Sequence, residues 1–168
     1  GFLQARFCEG VLKTCIKYGP IAYNEPDNYE ARANLMWASS WAINGTLNGG
    51  CGVAWCVHPM EHELSAFYDI THGQGLAILT PHWMEFALRD ETVDKFFEYG
   101  VNVWNLAPNG DKWTVAKEAI ACTSRFFKEE LHIPMTLREV GITSQDKFGI
   151  MAEKAAKGSA GSYVPLTK

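Results

Sequence analysis

The sequence lacks several features that would assign it to a specialised class of protein. No apolar run reaches the roughly 20 residues that a membrane-spanning helix needs. Its net charge of −4 and pI near 5.7 argue against a nucleic-acid partner, which needs a clustered basic face. Five cysteines are an odd number, which does not suit a small disulfide-linked secreted scaffold. We therefore expect reduced thiols and a cytoplasmic protein with neither a membrane nor a nucleic-acid partner.

Clear alternation of apolar and polar residues, the pattern of a half-buried β-strand, is also absent. Apolar residues recur instead with the 3.6-residue period of an amphipathic helix through most of the chain. A chain of 168 residues is long enough for one domain with a hydrophobic core. The sequence thus predicts an all-α bundle of about seven to nine helices, with no sheet beyond an incidental bridge.

Local signals predict where several helices begin and end. The first helix is expected to end at Gly19-Pro20, and Asp27 with Glu30 forms a plausible capping box for the second. Gly49-Gly50 is expected to terminate that second helix. A third helix is expected over Trp55–Tyr68, with Pro59 near its start, and a break is expected at Thr71–Gly73. A sixth helix is expected over Trp113–Leu131. Thr136 and Glu139 are expected to cap a short turn, and Ser144 is expected to cap the last helix. The six tryptophans are expected to lie in the core.

The segment 58–77, HPMEHELSAFYDITHGQGLA, contains three of the five histidines within fifteen residues. Imidazole is the commonest metal ligand and titrates near neutral pH, so the group indicates metal chemistry or proton transfer. His58 and His62 are four residues apart on one helical face, which makes them a possible chelating pair. By residue types alone, solvated or core-satisfied histidines explain the segment equally well. His82 and His132 are expected to be structural.

Two zinc hypotheses arise from neighbouring residues. Cys51 and Cys56 with His58 and His62 offer a structural zinc site, although zinc fingers usually separate the two pairs by about a dozen residues. The order His-x-x-Glu-His is also an inverted peptidase motif, in which Glu61 would be the base. Nothing else in the chain supports the peptidase hypothesis.

The same segment resembles the C-terminal metal-binding signature of the iron-containing (group III) alcohol dehydrogenases, and within them the butanol dehydrogenase-like branch. Weaker matches follow the same order along the chain, at RANLMWA (32–38), AING (42–45), HIPMTLREVG (132–141) and YVPLT (163–167). The resemblance implies a helical domain like the C-terminal half of dehydroquinate synthase-like enzymes. It also implies that residues 1–168 form this metal-binding domain, without the N-terminal nucleotide-binding domain and with a truncated last helix.

The resemblance implies a role for each of the three histidines. His58 and His72 would be metal ligands, and His62 would lie between the metal and the nicotinamide ring as a catalytic and cofactor-binding residue. Members of the family complete the metal site with an aspartate and a histidine four residues later, a pattern that this chain lacks. Asp69 would either accept a hydrogen bond from a ligand imidazole or cap the following helix.

The implied activity is hydride transfer between NAD or NADP and a primary alcohol or aldehyde such as butanol or butyraldehyde. The implied metal is Fe²⁺, with Zn²⁺ as the alternative because imidazole suits both ions. The cofactor would be bound mainly by the domain that is missing here, since the chain has no Gly-rich phosphate loop after a strand. We therefore expect this chain alone to be inactive, and the intact enzyme to be a homodimer. The alternative function is a helical zinc-stabilised interaction module, and a metal-free helical protein is the third hypothesis.

Overall fold

The computed structural model describes residues 1–49, 55–159, 162–164 and 166. These residues form α-helices and connecting turns, with no β-strand among them, as the periodicity predicted. The α-helices are α1 (Phe2–Asn24), α2 (Tyr29–Ile43), α3 (Val57–Tyr68), α4 (His72–Ala87), α5 (Val93–Trp104), α6 (Lys112–Arg125) and α7 (Phe148–Gly158). A 3₁₀ turn at Thr46–Asn48 follows α2, and a π-helical turn at Phe126–Glu130 continues α6. Within the described residues, no helix is both long and apolar enough to cross a membrane.

The chain divides into two compact units. The first comprises Gly1–Gly52 and Val93–Cys122, and the second comprises Val53–Thr92 and Thr123–Lys168. The boundary between them falls within α6, so that helix contributes residues to both units. The prediction of one domain over residues 1–168 stays a prediction.

In the first unit, α1 packs against α2 and α5. Gly100 allows α5 to lie close to α6, because a Cβ there would come within 3.0 Å of Val115 Cγ1 and 3.2 Å of Ala119 Cβ. Most of the buried residues of this unit are small or β-branched, and they include Ala31, Ala38, Val103, Val115, Ala116, Ala119 and Ile120. Small side chains therefore set the close approach of the helices.

In the second unit, α3 packs against both α4 and α7. Its core contains Leu64, Ile142 and Met151, surrounded by partly buried apolar residues from α3, α4 and the chain before α7. Because α3 is covered on two sides, most of its residues are at least partly buried. The three histidines of segment 58–77 all lie on α3 and α4, so this unit holds the candidate site.

Several predicted helix boundaries are wrong. α1 does not end at Gly19-Pro20 but continues through Pro20 to Asn24. The cap of α2 is Asn28, whose side chain accepts a hydrogen bond from the Ala31 amide at 3.0 Å, and not Asp27. Proline lacks the N–H that donates one backbone hydrogen bond in a helix, so it is a stop signal that the observed α1 overrides.

Other predicted boundaries are shifted along the chain. α2 ends at Ile43, before Gly49, and Gly50 lies outside the described residues. The break falls before Thr71, at Asp69 in the left-handed conformation, so His72 is already helical. Ser144 accepts a hydrogen bond from the Asp146 amide at 3.2 Å, whereas α7 begins only at Phe148. Thr136 and Glu139 form the predicted capping box, with the Glu139 amide donating to Thr136 Oγ1 at 3.2 Å.

Candidate metal centre

His58, His62 and Glu61 project from α3, and His72 is the first residue of α4. Asp69 ends α3 with φ 51° and ψ 38°, and its amide donates to the Ser65 carbonyl at 3.0 Å. This left-handed residue reverses the chain after only a short connection, so α4 returns alongside α3. The start of α4 therefore lies beside the histidines of α3.

The three imidazole rings lie at similar distances from one another. Ring centroids are 5.2 Å apart for His58 and His72, 5.5 Å for His62 and His72, and 5.9 Å for His58 and His62. Two imidazoles bound to one metal through nitrogens at about 2.1 Å place their ring centres about 5 Å apart in tetrahedral geometry. The arrangement therefore fits a shared divalent ion, and imidazole suits both Fe²⁺ and Zn²⁺.

In the described part of the chain, the group whose ligand atoms all lie within 4.8 Å of one another is Glu61, His62 and His72, and it does not include the predicted ligand His58. The family resemblance gave Glu61 no role, and the sequence suggested it only as a carboxylate near the histidines and as the base of the peptidase motif. Glu61 is fully buried, and its Oε2 is hydrogen-bonded to His72 Nδ1, while its Oε1 accepts a hydrogen bond from Ser65 Oγ. A glutamate between two helix-borne histidines was the available signal, because carboxylates commonly orient ligand imidazoles. Asp69, suggested for such a hydrogen bond, instead ends α3.

Burial lowers the pKa of His58 below its ordinary value of 6.5, and repulsion from His72 and His62 lowers it further, against the opposing effect of Glu61. His58 is thereby favoured as the neutral imidazole, the form that coordinates a metal. His62 and His72 are exposed, so the cluster faces outward.

A cavity of roughly 310 Å³ lies beside His58. Its lining is mainly apolar and includes Trp55, Leu76 and Trp83, with Thr80 as the additional polar side chain. Trp55 lies edge-on to His58, with ring centroids 4.5 Å apart. The expectation that all tryptophans lie in the core is wrong for Trp55 and Trp37, which are 45% and 65% exposed.

The remaining predicted residues lie elsewhere or outside the described part of the chain. His82 is exposed on α4, and its Nδ1 lies 3.8 Å from Glu85 Oε2. His132 is exposed in a turn with φ 53°. Cys56 is buried, and Cys51 lies outside the described residues. In the part of the chain that is described, the group able to hold a metal contains no cysteine.

Comparison with known proteins decides the family. The profile described as "Fe-containing alcohol dehydrogenase family, C-terminal" matches residues 3–168. This chain is a member of that family. The resemblance drawn from segment 58–77 is therefore confirmed.

Relatives and solved structures agree with this assignment. NADH-dependent butanol dehydrogenase A of Clostridium acetobutylicum is 56% identical over 165 residues, which are 98% of this chain and 42% of that protein. NADPH-dependent aldehyde reductase YqhD of Escherichia coli is 41% identical over 141 residues, covering 83% of this chain and 35% of that protein. The crystal structure of NADH-dependent butanol dehydrogenase A from Thermotoga maritima superposes with a TM-score of 0.84 at 29% identity, over 98% of this chain and 42% of that one. The chain thus spans less than half the length of these relatives, and its fold is that of their matched part.

Proposed function

We propose that this chain is the metal-binding part of an NAD(P)-dependent alcohol dehydrogenase or aldehyde reductase. The observation that carries the proposal is the convergence of three imidazoles from α3 and α4 in a member of this family, with centroids 5.2–5.9 Å apart. Relatives named for butanol dehydrogenase and aldehyde reductase activity support a primary alcohol or aldehyde as the substrate.

His58 and His72 are proposed to hold the ion, Fe²⁺ in preference to Zn²⁺. When bound, a divalent ion would polarise the substrate oxygen and stabilise the charge that develops as hydride leaves the adjacent carbon. The further ligands would come from a segment that this sequence does not contain, because the chain has no Asp-x-x-x-His.

His62 is proposed to orient the substrate and to accept the proton that the alcohol loses. Its ring stacks on that of His72, with ring centroids 5.5 Å apart, and is exposed, so solvent reaches the ring. A neutral imidazole with access to water can pass that proton to solvent. The apolar cavity beside His58 suits the hydrocarbon chain of a substrate such as butanol.

The peptidase hypothesis requires Glu61 to act as a base on a water molecule. The structure buries Glu61 completely and hydrogen-bonds both of its oxygens, to His72 and Ser65. A general base must reach the proton that it removes, so this glutamate is not available for that role. The zinc-module hypothesis has no support from the described metal-ligand group, which contains no cysteine.

The test uses the protein at its full natural length, assayed by nicotinamide absorbance with butanol and butyraldehyde, both cofactors, and Fe²⁺ or Zn²⁺. His72→Ala is expected to lose bound metal and activity together. His62→Ala is expected to keep its metal and lose about 10²–10⁴-fold in turnover. His82→Ala is the matched control, since His82 is an exposed histidine on α4, the helix that also carries His72. Full activity in His72→Ala, or no turnover of either substrate by the unmodified protein, would contradict the proposal.

A further inference from the structure

Glu61 is a buried carboxyl group that the proposed chemistry does not use directly. Its exposed fraction is 0%, although glutamate is rarely buried unless it is paired. Burying an ionisable group without hydrogen-bonding partners is costly, so its partners indicate why it is there. Both of its oxygens have partners, and each comes from the site segment.

The first partner is the ring of His72. Its Nδ1 is hydrogen-bonded to Glu61 Oε2. A neutral imidazole carries one N–H, and a carboxylate oxygen can only accept, so we assign that hydrogen to Nδ1. Nε2 then has a free lone pair, which is what coordination of a metal requires. The side chain of His72 is 49% exposed, so the ring is open to solvent.

The second partner is Ser65, one turn further along α3. Its hydroxyl donates to Glu61 Oε1 and also lies 3.1 Å from the Ile70 carbonyl oxygen in the connection to α4. The carboxyl group is thereby fixed at both oxygens, and the serine links it to the segment that positions His72.

Gly75 of α4 lies against the Glu61 side chain. A Cβ at this position would come within 2.8 Å of Glu61 Cγ and 2.9 Å of Glu61 Oε1. No larger residue fits without displacing Glu61 or separating the helices. Glu61 is thus confined by geometry as well as by hydrogen bonds.

We propose that Glu61 is the positioning residue for His72: it fixes the Nδ1–H tautomer and the ring orientation, so that Nε2 is presented to the metal. This inference rests on the proposed function, in which His72 is a ligand. Hydrogen bonds from ligand imidazoles to carboxylates are a common means of raising metal affinity.

The same residue is also close enough to be considered as a ligand itself, since Glu61, His62 and His72 offer atoms within 4.8 Å of one another. Glu61 Oε2 is hydrogen-bonded to His72 Nδ1, which leaves Nε2 as the nitrogen for the metal, and this pairing favours the positioning role.

The experiment compares Glu61→Ala, Glu61→Gln and the control Glu63→Ala in the protein at its full natural length. Glu63 lies on the same helix as Glu61, and its Oε2 is 3.5 Å from Lys154 Nζ. Affinity for Co²⁺ is titrated through its visible absorption bands, and the tautomer of His72 is determined by NMR of ¹⁵N-histidine in the metal-free protein. Circular dichroism verifies that each variant is folded.

Glu61→Ala is expected to weaken Co²⁺ binding about 10–100-fold and to lose the uniform Nδ1–H tautomer of His72. Glu61→Gln is expected to remain within about 10-fold of the unmodified protein with unchanged absorption bands. The amide oxygen still accepts from Nδ1–H, and the amide nitrogen donates to Ser65, whose hydroxyl then donates to Ile70. Because the glutamine variant keeps a hydrogen bond to both His72 and Ser65, it tests the inference even if the alanine variant unfolds.

Three results would overturn the inference. One is an unchanged His72 tautomer in folded Glu61→Ala. Another is a loss of Co²⁺ affinity in Glu61→Gln as large as that in Glu61→Ala, together with shifted Co²⁺ absorption bands, because that result would identify Glu61 as a direct ligand. The third is an Nε2–H tautomer of His72 in the unmodified protein. Absence of Co²⁺ binding by the unmodified protein would instead contradict the proposed function, while the NMR result still decides the tautomer.

Discussion

Gly75 is the position in the site that tolerates the least increase in side-chain size. Alanine there would place Cβ within 2.8 Å of Glu61 Cγ, close to the backbone end of that side chain. We expect Gly75→Ala to destabilise the fold by about 1–3 kcal/mol, the usual result of overpacking. We also expect weaker metal binding, because the displaced carboxyl group no longer orients His72. Thermal unfolding and Co²⁺ titration measure the two effects.

Gly73 provides the matched control for that substitution. It also lies in the first turn of α4, but a Cβ there would meet nothing within 4 Å. Gly73→Ala is therefore expected to stabilise the protein by about 0.5–1 kcal/mol through the lower entropy of the unfolded chain. Equal stability of the two alanine variants would show that α3 and α4 are not in close contact at Gly75.

At the scale of the element, Asp27 and Asn28 are adjacent candidates for the residue that caps the start of α2. Asn28 accepts from the Ala31 amide at 3.0 Å and donates to Glu25 Oε2 at 2.8 Å. We expect Asn28→Ala to lower the free energy of unfolding by about 1 kcal/mol. Asp27→Ala is expected to leave it within about 0.5 kcal/mol, as for an ordinary surface position. The measurement is urea unfolding of both variants. If Asp27 were the cap, Asp27→Ala would lose more free energy of unfolding than Asn28→Ala.

The capping box before α7 gives a pH-dependent prediction. The Thr136 hydroxyl, then the Met135 and Thr136 amides, donate to Glu139 and lower its pKa below 4.5, although some burial opposes the shift. The folded protein therefore favours the ionised form, and the resulting stability is present above the unfolded pKa and is lost as pH falls through the folded pKa. Glu139→Gln is expected to unfold at a lower temperature than the unmodified protein at pH 7. The difference should shrink as the pH falls below 4.5, and a difference independent of pH would contradict this origin.

The helices could be predicted from the sequence because their apolar residues have a clear period, as in α5, where Val93, Phe96, Gly100 and Val103 are buried. Their ends were harder to predict, since a local signal competes with packing. Pro20 is a strong stop signal, yet α1, which packs against α2, continues through it to Asn24. The cluster of His58, His62 and His72 was suggested by spacing and resemblance. The Glu61–His72 pair was not, because it depends on how Asp69 turns α4 back onto α3.

At the scale of the whole molecule, the 168-residue chain alone is expected to have no dehydrogenase activity. Two histidines leave most of the coordination sphere to water, and the sequence has no Gly-rich loop after a strand to bind the cofactor pyrophosphate. The measurement is the nicotinamide absorbance assay on the purified 168-residue chain, with butyraldehyde and added Fe²⁺ or Zn²⁺. Turnover comparable to that of the full-length protein would show that this chain already holds a complete site. Light scattering on the full-length protein would test the predicted homodimer.

The edge-on contact between Trp55 and His58, at 4.5 Å, makes the indole an optical reporter of the histidine cluster. A coloured paramagnetic ion such as Co²⁺ near His58 accepts excitation energy from a neighbouring indole, whereas Zn²⁺ has no absorption to accept it. Fluorescence of the full-length protein should therefore fall with added Co²⁺ and recover when excess Zn²⁺ replaces it. Trp55→Phe should reduce this quenching, because the Trp55 indole is in contact with His58. The chain thus carries an intrinsic probe with which metal exchange could be followed in real time, without a label.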